Sequence, residues 1–228
     1  MEKFVSILVP TKDRPQFVEN ILNNFNRQSY KSDKMELIIM DDGALDLASN
    51  FENFSYISYI KVRPMTLGEK RNKLIEIAKG DILIFFDDDD YYPKDKVSEC
   101  VRVLENNTNY LITGSSVMYI YFPKYNDILK YGPSWHPNHA TCATLAFKKE
   151  YYKNNKFPHL RKAEEKKFLN GYKSPLYQMN PFKSILVIGH NENTVNKYNY
   201  RDTLEKTDLT LDDFGMSNEE KLFYKNLK

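Results

Sequence analysis

The stretch ILIFFDDDDYYP, residues 82–93, places five apolar residues directly before four aspartates. A short apolar run that ends at a polar turn is typical of a strand buried on both faces. Such strands belong to parallel sheets, because helices cover both faces of those sheets. The stretch therefore predicts a buried strand over residues 82–86 that places four carboxylates at one edge of an α/β sheet.

The segments before this stretch alternate between apolar runs and amphipathic runs. Apolar runs predict strands over residues 4–9, 37–40 and 56–62, and helical spacing predicts helices over residues 15–27 and after residue 93. Thr66 and Glu69 form a capping-box signature that opens a further helix, which we expect Gly80 to close at its C′ position. This alternation favours a mostly parallel central sheet flanked by helices.

The second half of the chain is less regular. We expect one or two strands over residues 111–122 and short strands over residues 143–147 and 185–188, whereas residues 168–179 fit either a helix or a strand. Ser217 and Glu220 form a second capping-box signature, which predicts a C-terminal helix. Because no repeat or linker separates the two halves, we predict a single domain over residues 1–228.

Composition narrows the possible partners and compartment. The chain has 228 residues and a formal net charge of +2, which gives no reason to expect nucleic acid as a partner. Its two cysteines are too few for a disulfide scaffold or a metal cluster, which favours a reducing compartment. No segment reaches the ~18 apolar residues that a membrane helix needs. We therefore expect a cytoplasmic protein without a transmembrane segment.

A second acidic pair, Asp41 and Asp42, follows the strand predicted over residues 37–40. In open α/β sheets, ligands bind beyond the carboxyl ends of the strands, so both acidic clusters are expected at one binding edge. Carboxylates with open positions suit Mg²⁺ or Mn²⁺, which commonly bridge protein carboxylates and substrate phosphates. The alternative for residues 87–90 is a solvated loop or helix cap. The buried strand before them and the second acidic pair favour the metal site.

Four segments together resemble a GT-A-fold glycosyltransferase of the inverting family 2 type. They are VSILVPTKDRP (5–15), ELIIMDDG (36–43), TLGEKRNKLIEIAKGDILIFFDDDDYYP (66–93) and RKAEEKKFL (161–169). The resemblance implies the nucleotide-diphospho-sugar transferase fold, with residues 1–95 as the nucleotide-sugar-binding half. Residues 96–228 would then form the acceptor-binding half, which ends in the C-terminal helix.

The resemblance also implies roles for particular donor-site residues. The nucleotide would be bound by Pro10, Thr11, Arg14, Asp41, Asp42, Arg71, Asp87 and Asp88. Among these, Asp42 would contact the base, and Arg71 would lie near the diphosphate or the base, with an ordinary helix-surface charge as the alternative for Arg71. Asp89 would be the direct ligand of Mn²⁺ or Mg²⁺. Asp87 would contact the ribose or a metal-bound water, and His190 would help to bind the metal or the diphosphate, with a loop or packing residue as the alternative for His190. The acid–any–acid motif also fits Asp88 and Asp90, so its register stays open.

The late motifs bear on the acceptor. The family commonly shows Glu-Asp where this chain has Glu164 and Glu165, and the second acid acts as the catalytic base; Glu165 is therefore expected to be the base, with Glu164 beside it. A solvated Lys/Glu-rich helix is the alternative. Trp135 and His139 are candidates for the acceptor site. His136 and His139 lack a second ligand pair, which argues against structural zinc.

The resemblance implies transfer of a sugar from a nucleoside-diphosphate sugar, with UDP favoured, to a hydroxyl of a carbohydrate or glycoconjugate. A non-catalytic nucleotide-sugar-binding protein stays open because the Glu-Glu motif is imperfect. A sugar-nucleotidyltransferase is the other alternative, but VPTKDRP is not a Gly-rich phosphate loop. A metal-dependent phosphatase would need an aspartate at the end of the first strand, where this chain has Pro10 and Thr11.

Overall fold

The computed structural model describes residues 2–161 and 163–227. Its strands and α-helices, in chain order, are β1 (Val5–Thr11), α1 (Val18–Asn26), β2 (Met35–Asp41), β3 (Ile57–Lys61), α2 (Leu67–Ile77), β4 (Ile82–Phe85), α3 (Lys96–Asn106), β5 (Ile112–Gly114), β6 (Met118–Phe122), β7 (Asp127–Tyr131), β8 (Ala146–Lys148), α4 (Glu165–Phe168), β9 (Tyr177–Gln178), β10 (Leu186–Ile188), β11 (Glu205–Lys206) and α5 (Asn218–Lys225). In the described part of the chain, no helix is both long enough and apolar enough to cross a membrane.

The larger sheet has seven strands in the order β3-β2-β1-β4-β8-β5-β9. Its first four strands run parallel, and β8 is antiparallel to both β4 and β5. This arrangement confirms the predicted mostly parallel α/β sheet. Because β1, β2 and β4 run parallel, their carboxyl ends meet at one edge, where Thr11 is in register with Asp41.

Hydrophobic side chains cover both faces of this sheet. Along β1, Val5, Ile7 and Val9 belong to one buried cluster, whereas Leu8 belongs to the other. The first cluster includes residues of α1 and α3, and the second includes Leu74 and other residues of α2. Since successive side chains of a strand point to opposite faces, the continuous apolar run of β1 supplies both cores.

The smaller sheet has the order β10-β6-β7-β11. Strand β10 runs parallel to β6, and β7 is antiparallel to both β6 and β11. An isolated antiparallel bridge between Tyr91 and Leu186 joins this sheet to the turn after β4. The acidic turn is therefore fastened to both sheets.

Several local predictions hold and others are wrong. The strands over residues 111–122 are two, β5 and β6, and the Ser217–Glu220 capping box is formed in full. Thr66 caps α2, since its side chain accepts from the Glu69 amide. Gly80 does not close α2 at C′, because the helix ends at Ile77. Gly80 is needed for a different reason: a Cβ there would lie 2.5 Å from the Ser6 amide nitrogen.

Candidate active site

The acidic turn after β4 is held by side-chain amides of α1. Asn20 Nδ2 donates to the carbonyl oxygens of Asp88 (2.8 Å) and Asp90 (3.1 Å). Asn24 Nδ2 donates to the same Asp90 carbonyl at 2.8 Å. Buried carbonyl groups need such partners, because each one left without a hydrogen bond is costly. The backbone of the turn is therefore fixed, and the direction of each carboxylate follows from it.

The four carboxylates have different environments. Asp90 points into the smaller sheet, where its Oδ1 accepts from the Ile188 amide at 2.8 Å, and only 3% of the residue is exposed. Asp88 accepts from Thr11 Oγ1 and from Arg14 Nη1, each at 2.6 Å. Burial, together with the charge of Asp89, raises the pKa of Asp88 to about 7. Both carboxylate oxygens of Asp88 and one of Asp90 are thus hydrogen-bonded to the protein, whereas the Asp87 side chain is 32% exposed.

Asp89 is the most strongly ionised member of the turn. Burial alone would raise its pKa, but the hydrogen bond from His190 and the charges of Lys197 and Arg14 hold that pKa below its usual range. The three donors to Asp89 Oδ2 are Arg14 Nη1 (2.8 Å), His190 Nε2 (3.1 Å) and Asn193 Nδ2 (3.2 Å). Within the described residues, no hydrogen bond involves Asp89 Oδ1, so this oxygen is available to a ligand.

The position of His190 has a consequence for its role. Its Nδ1 accepts from the Glu192 amide at 3.3 Å, which places the ring proton of the neutral imidazole on Nε2, facing Asp89. In this tautomer His190 is a donor to Asp89 and has no lone pair free on Nε2 for a metal. Metal binding by His190 therefore stays a prediction, whereas its hydrogen bond to Asp89 favours a role in orienting that carboxylate.

Among residues 2–161 and 163–227, no three His, Cys, Asp or Glu side chains are already grouped around one point as metal ligands. The donor set nevertheless suits a hard divalent ion, because Asp89 Oδ1 accepts no hydrogen bond from a described residue and the Asp87 side chain is 32% exposed. These carboxylates would hold Mn²⁺ or Mg²⁺.

Arg71 links the acidic turn to the late glutamate pair. Its Nε donates to Glu164 Oε1 at 3.1 Å, and its Nη2 lies 3.4 Å from Asp87 Oδ1. The guanidinium carbon is 4.6 Å from the centroid of the Phe85 ring, and Nη1 is buried with no hydrogen-bond partner among the described residues. Arg71 is thus a buried cation between two acids that are 77 residues apart in sequence, and its Nη1 has no partner among the described residues.

The two glutamates are not equivalent. Glu164 is 4% exposed, lines the cavity and is paired with Arg71. Glu165 is half-buried at the start of α4, and burial raises its pKa. The charges of both glutamates raise the pKa of the buried Cys142 thiol, after burial itself, and Cys142 lines the same cavity. Glu164 therefore lies at the cavity wall, and Glu165 is the next residue in the chain.

A cavity of about 300 Å³ joins these groups. It is lined by Pro10, Arg14, Arg71, the acidic turn and Glu164, all of which the sequence had indicated. It is also lined by Arg161 and Lys197, two cations that sequence reasoning missed. The sequence signal that could have pointed to Lys197 is its position seven residues after His190, in a polar segment rich in asparagine. Four cations thus surround an acidic floor, which suits a bound diphosphate.

The acidic pair at the end of β2 lies near this site but is buried. Asp42 is 2% exposed; its Oδ1 accepts from Lys70 Nζ, and its Oδ2 accepts from the Met65 amide at 3.0 Å. Asp41 is fully buried and accepts from Tyr59 Oη at 2.8 Å. Recognition of the nucleotide base by Asp42 stays a prediction. Lys70, which sequence reasoning missed, is the hydrogen-bond partner of Asp42.

Trp135 and His139 both pack on Tyr172, and neither is among the described residues that line the cavity. Trp135 is 77% exposed, and its ring centroid is 5.2 Å from that of Tyr172. His139 is 8% exposed, lies 5.5 Å from the same Tyr172 ring and has no hydrogen-bond partner for Nδ1 among the described residues. The acceptor role of Trp135 and His139 stays a prediction.

Comparison with known proteins agrees with this geometry. A sequence model described as "Glycosyl transferase family 2" matches residues 6–186. An uncharacterized glycosyltransferase of Haemophilus influenzae is 30% identical over 121 residues, which are 52% of this chain and 38% of that relative. The Escherichia coli UDP-Glc:alpha-D-GlcNAc-diphosphoundecaprenol beta-1,3-glucosyltransferase WfaP is 25% identical over 178 residues, 74% of this chain and 70% of that protein. The chain thus spans well under half of the Haemophilus relative.

A solved structure shows the same fold. The mannosyltransferase PcManGT of Pyrobaculum calidifontis, in complex with GDP-Man and Mn²⁺, superposes with a TM-score of 0.65 at 18% identity. The match covers 85% of this chain and 59% of that one. At this identity the likeness concerns the fold, and it confirms the predicted GT-A architecture. Since the family match extends from β1 into β10 and includes the acidic turn, the chain belongs to glycosyl transferase family 2.

Proposed function

We propose that this chain transfers a sugar from a nucleoside-diphosphate sugar to an acceptor hydroxyl, with inversion at the anomeric carbon and with a divalent metal. The observation that carries the proposal is the joining of two acidic groups in one cavity. Asp87 and Asp89 form its floor, and Arg71 connects that floor to Glu164. Sugar transfer needs both acidic groups, because negative charge develops on the leaving diphosphate while the acceptor hydroxyl loses a proton.

On the donor side, Asp87 and Asp89 would hold Mn²⁺ or Mg²⁺. The ion, when bound, supplies positive charge next to the diphosphate. His190, Asn193 and Arg14 orient Asp89 through its other oxygen, Oδ2. Nη1 of Arg71, which has no hydrogen-bond partner in the described part of the chain, would stabilise charge on the leaving group. Pro10 and Thr11, at the end of β1, would border the nucleotide.

On the acceptor side, Glu165 would take the proton from the attacking hydroxyl. Burial raises its pKa, which makes the carboxylate a stronger base than an exposed glutamate. Glu164 accepts a hydrogen bond from Arg71, and this contact would hold the glutamate pair in a fixed position relative to the acidic turn. General-base catalysis of this kind typically contributes about 10²–10⁴-fold in rate.

The compared proteins bear on the choice of donor. The name of WfaP specifies UDP-Glc and a GlcNAc-diphosphoundecaprenol acceptor, whereas PcManGT was solved with GDP-Man and Mn²⁺. We favour a UDP-sugar as donor and a glycan or glycoconjugate as acceptor. Two free, buried cysteines support a reducing, cytoplasmic compartment.

A non-catalytic nucleotide-sugar-binding protein is the second candidate, because Arg14 already neutralises part of the acidic floor. The two candidates differ in whether the sugar–phosphate bond is broken. UDP or GDP released from a panel of nucleotide sugars with Mn²⁺ measures this breakage directly.

We expect the wild type to release the nucleoside diphosphate slowly. The release rate of Asp89→Asn should be about 10²-fold lower, which is the typical effect of losing one charge-stabilising group. Asp33→Asn, which changes an exposed aspartate outside the site, is the matched control. Binding of a nucleotide sugar without any release, even with added acceptors, would favour the binding protein.

A further inference from the structure

The chain has one tryptophan, and the structure leaves it open to solvent. Trp135 is 77% exposed, more than any other large hydrophobic side chain among the described residues. Large aromatic rings are usually buried, and an exposed one at a functional site commonly marks a contact surface. The position of Trp135 relative to the proposed active site therefore decides whether the indole can contact a ligand of that site.

The indole is held in place by two aromatic neighbours. The Tyr172 ring lies 5.2 Å from it at an interplanar angle of 87°, and the His136 ring lies 5.5 Å from it at 79°. Both neighbours are nearly perpendicular to the indole, so neither stacks on it in parallel. The ring is positioned without being covered.

The segment that carries Trp135 is fastened to the segment that follows Glu165. Asn138 Nδ2 donates to the Tyr172 carbonyl at 3.0 Å, and the Leu176 amide donates to Asn138 Oδ1 at 3.3 Å. Tyr172 itself lies close enough to Glu165 for that carboxylate to raise the tyrosine pKa, after burial. From Trp135 the chain continues to Thr141, which lines the cavity. Trp135 is thus linked to the proposed base Glu165 through Tyr172, and to the cavity through the short segment that ends at Thr141.

We propose that Trp135 is the stacking platform of the acceptor subsite and that the acceptor is a saccharide whose pyranose ring packs on the indole. This inference rests on the proposed function, because it places the acceptor hydroxyl within the site of sugar transfer. The C–H face of a pyranose is flat and apolar and matches an aromatic ring, whereas a linear polyol offers no such face. The Nδ1 atom of His139 is buried in the same cluster and has no hydrogen-bond partner among residues 2–161 and 163–227, so it supplies a polar group for a sugar hydroxyl.

Because Trp135 is the sole tryptophan, its fluorescence reports this site alone. The wild-type chain, saturated with UDP or GDP and Mn²⁺, is titrated with methyl glycosides of glucose, N-acetylglucosamine, galactose and rhamnose, and with ribitol as a linear control. We expect at least one glycoside to shift or quench the emission, and ribitol to leave it unchanged. An emission unchanged by every saccharide would overturn the inference.

Saturation-transfer NMR with the same glycoside extends the test to variants. We expect Trp135→Ala to weaken binding about ten-fold, which corresponds to about 1.4 kcal/mol, and Trp135→Phe to keep most of the affinity. Tyr125→Ala, at an exposed aromatic residue outside this cluster, is the matched control and should bind as the wild type does. Equal binding by Trp135→Ala would refute the platform.

Two further outcomes separate this inference from the proposed function. If the wild type binds no nucleoside diphosphate with Mn²⁺, the proposed function fails, whatever Trp135 does. If nucleotide binding is present and the emission instead changes with protein concentration, in step with a dimer seen by sedimentation, Trp135 contacts a second copy of the chain. That result would also overturn the inference.

Discussion

At the scale of single residues, the acidic turn shows how four adjacent carboxylates are kept in a buried place. Arg14 neutralises Asp88 and Asp89, Arg71 lies beside Asp87, and the Ile188 amide binds Asp90. Buried charges are tolerated when such partners are present, because each partner offsets part of the desolvation cost. In this division of partners among the described residues, both oxygens of Asp88 are hydrogen-bonded, Asp89 Oδ1 is not, and the Asp87 side chain is 32% exposed, which favours Asp87 and Asp89 as the metal-binding pair.

This division predicts the register of the metal site. In Asp90→Asn, the amide oxygen can still accept from Ile188, so we expect Mn²⁺-dependent nucleotide binding to persist, with stability changed by about 1 kcal/mol. In Asp89→Asn, we expect that binding to weaken at least ten-fold. Calorimetric titration of both variants with Mn²⁺ and UDP measures the difference. The reverse result would assign the site to Asp88 and Asp90.

The raised pKa of Glu165 predicts a pH dependence. A base must be deprotonated to act, so kcat/KM should fall with decreasing pH through a value above 4.5, the ordinary pKa of glutamate. We expect Glu165→Gln to lose about 10²–10⁴-fold in rate and to lose this acidic limb. The pH–rate profile of Glu164→Gln is the comparison, and a limb that vanishes only in Glu164→Gln would assign the base to Glu164.

At the scale of elements, helix α5 supports the acidic turn from a distance of more than 120 residues in sequence. Tyr224, 1% exposed, donates to Asn20 Oδ1 and lies 3.3 Å from the Asp90 carbonyl. Asn20 in turn binds the carbonyls of Asp88 and Asp90. The C-terminal helix is therefore part of the support of the proposed metal site.

The substitution Tyr224→Phe tests that support. It removes one hydroxyl while keeping the ring, so we expect unfolding free energy to fall by about 1 kcal/mol and Mn²⁺ affinity to fall a few-fold. Denaturant unfolding and calorimetry measure the two effects. Tyr119→Phe, in the smaller sheet and outside this network, is the control, and equal Mn²⁺ affinity in both variants would remove α5 from the site.

Sequence patterns predicted these elements unequally. The β4 strand and its acidic turn were evident because an uninterrupted apolar run has few alternatives to a buried strand. Strand β7 was missed because only two residues of DILKY are buried, so the segment lacks a clear apolar pattern. Its partner strand β6 belongs to a second sheet that the sequence pattern does not predict. Gly80 was misread as a helix cap because its close contact with Ser6 is set by tertiary packing.

At the scale of the whole molecule, the site is assembled from segments far apart in the sequence. Arg14, Arg71, Asp89, Glu164 and His190 come from both halves of the chain. The sequence indicated these residues one by one, through motifs, but it did not indicate that Arg71 would bridge Asp87 and Glu164 or that Lys70 would bind Asp42. Such pairings depend on how α2 packs against β1 and β2, which no local pattern encodes.

The most direct test of the account is calorimetric titration of the wild-type chain with UDP and GDP, each in the presence of Mn²⁺ and of EDTA. We predict that one of the two nucleotides binds, and that its affinity is at least about ten-fold higher with Mn²⁺ than with EDTA, a difference of about 1.4 kcal/mol. Failure of both nucleotides to bind, or equal affinity with and without the metal, would contradict the central claim that Asp87 and Asp89 hold a metal against a diphosphate.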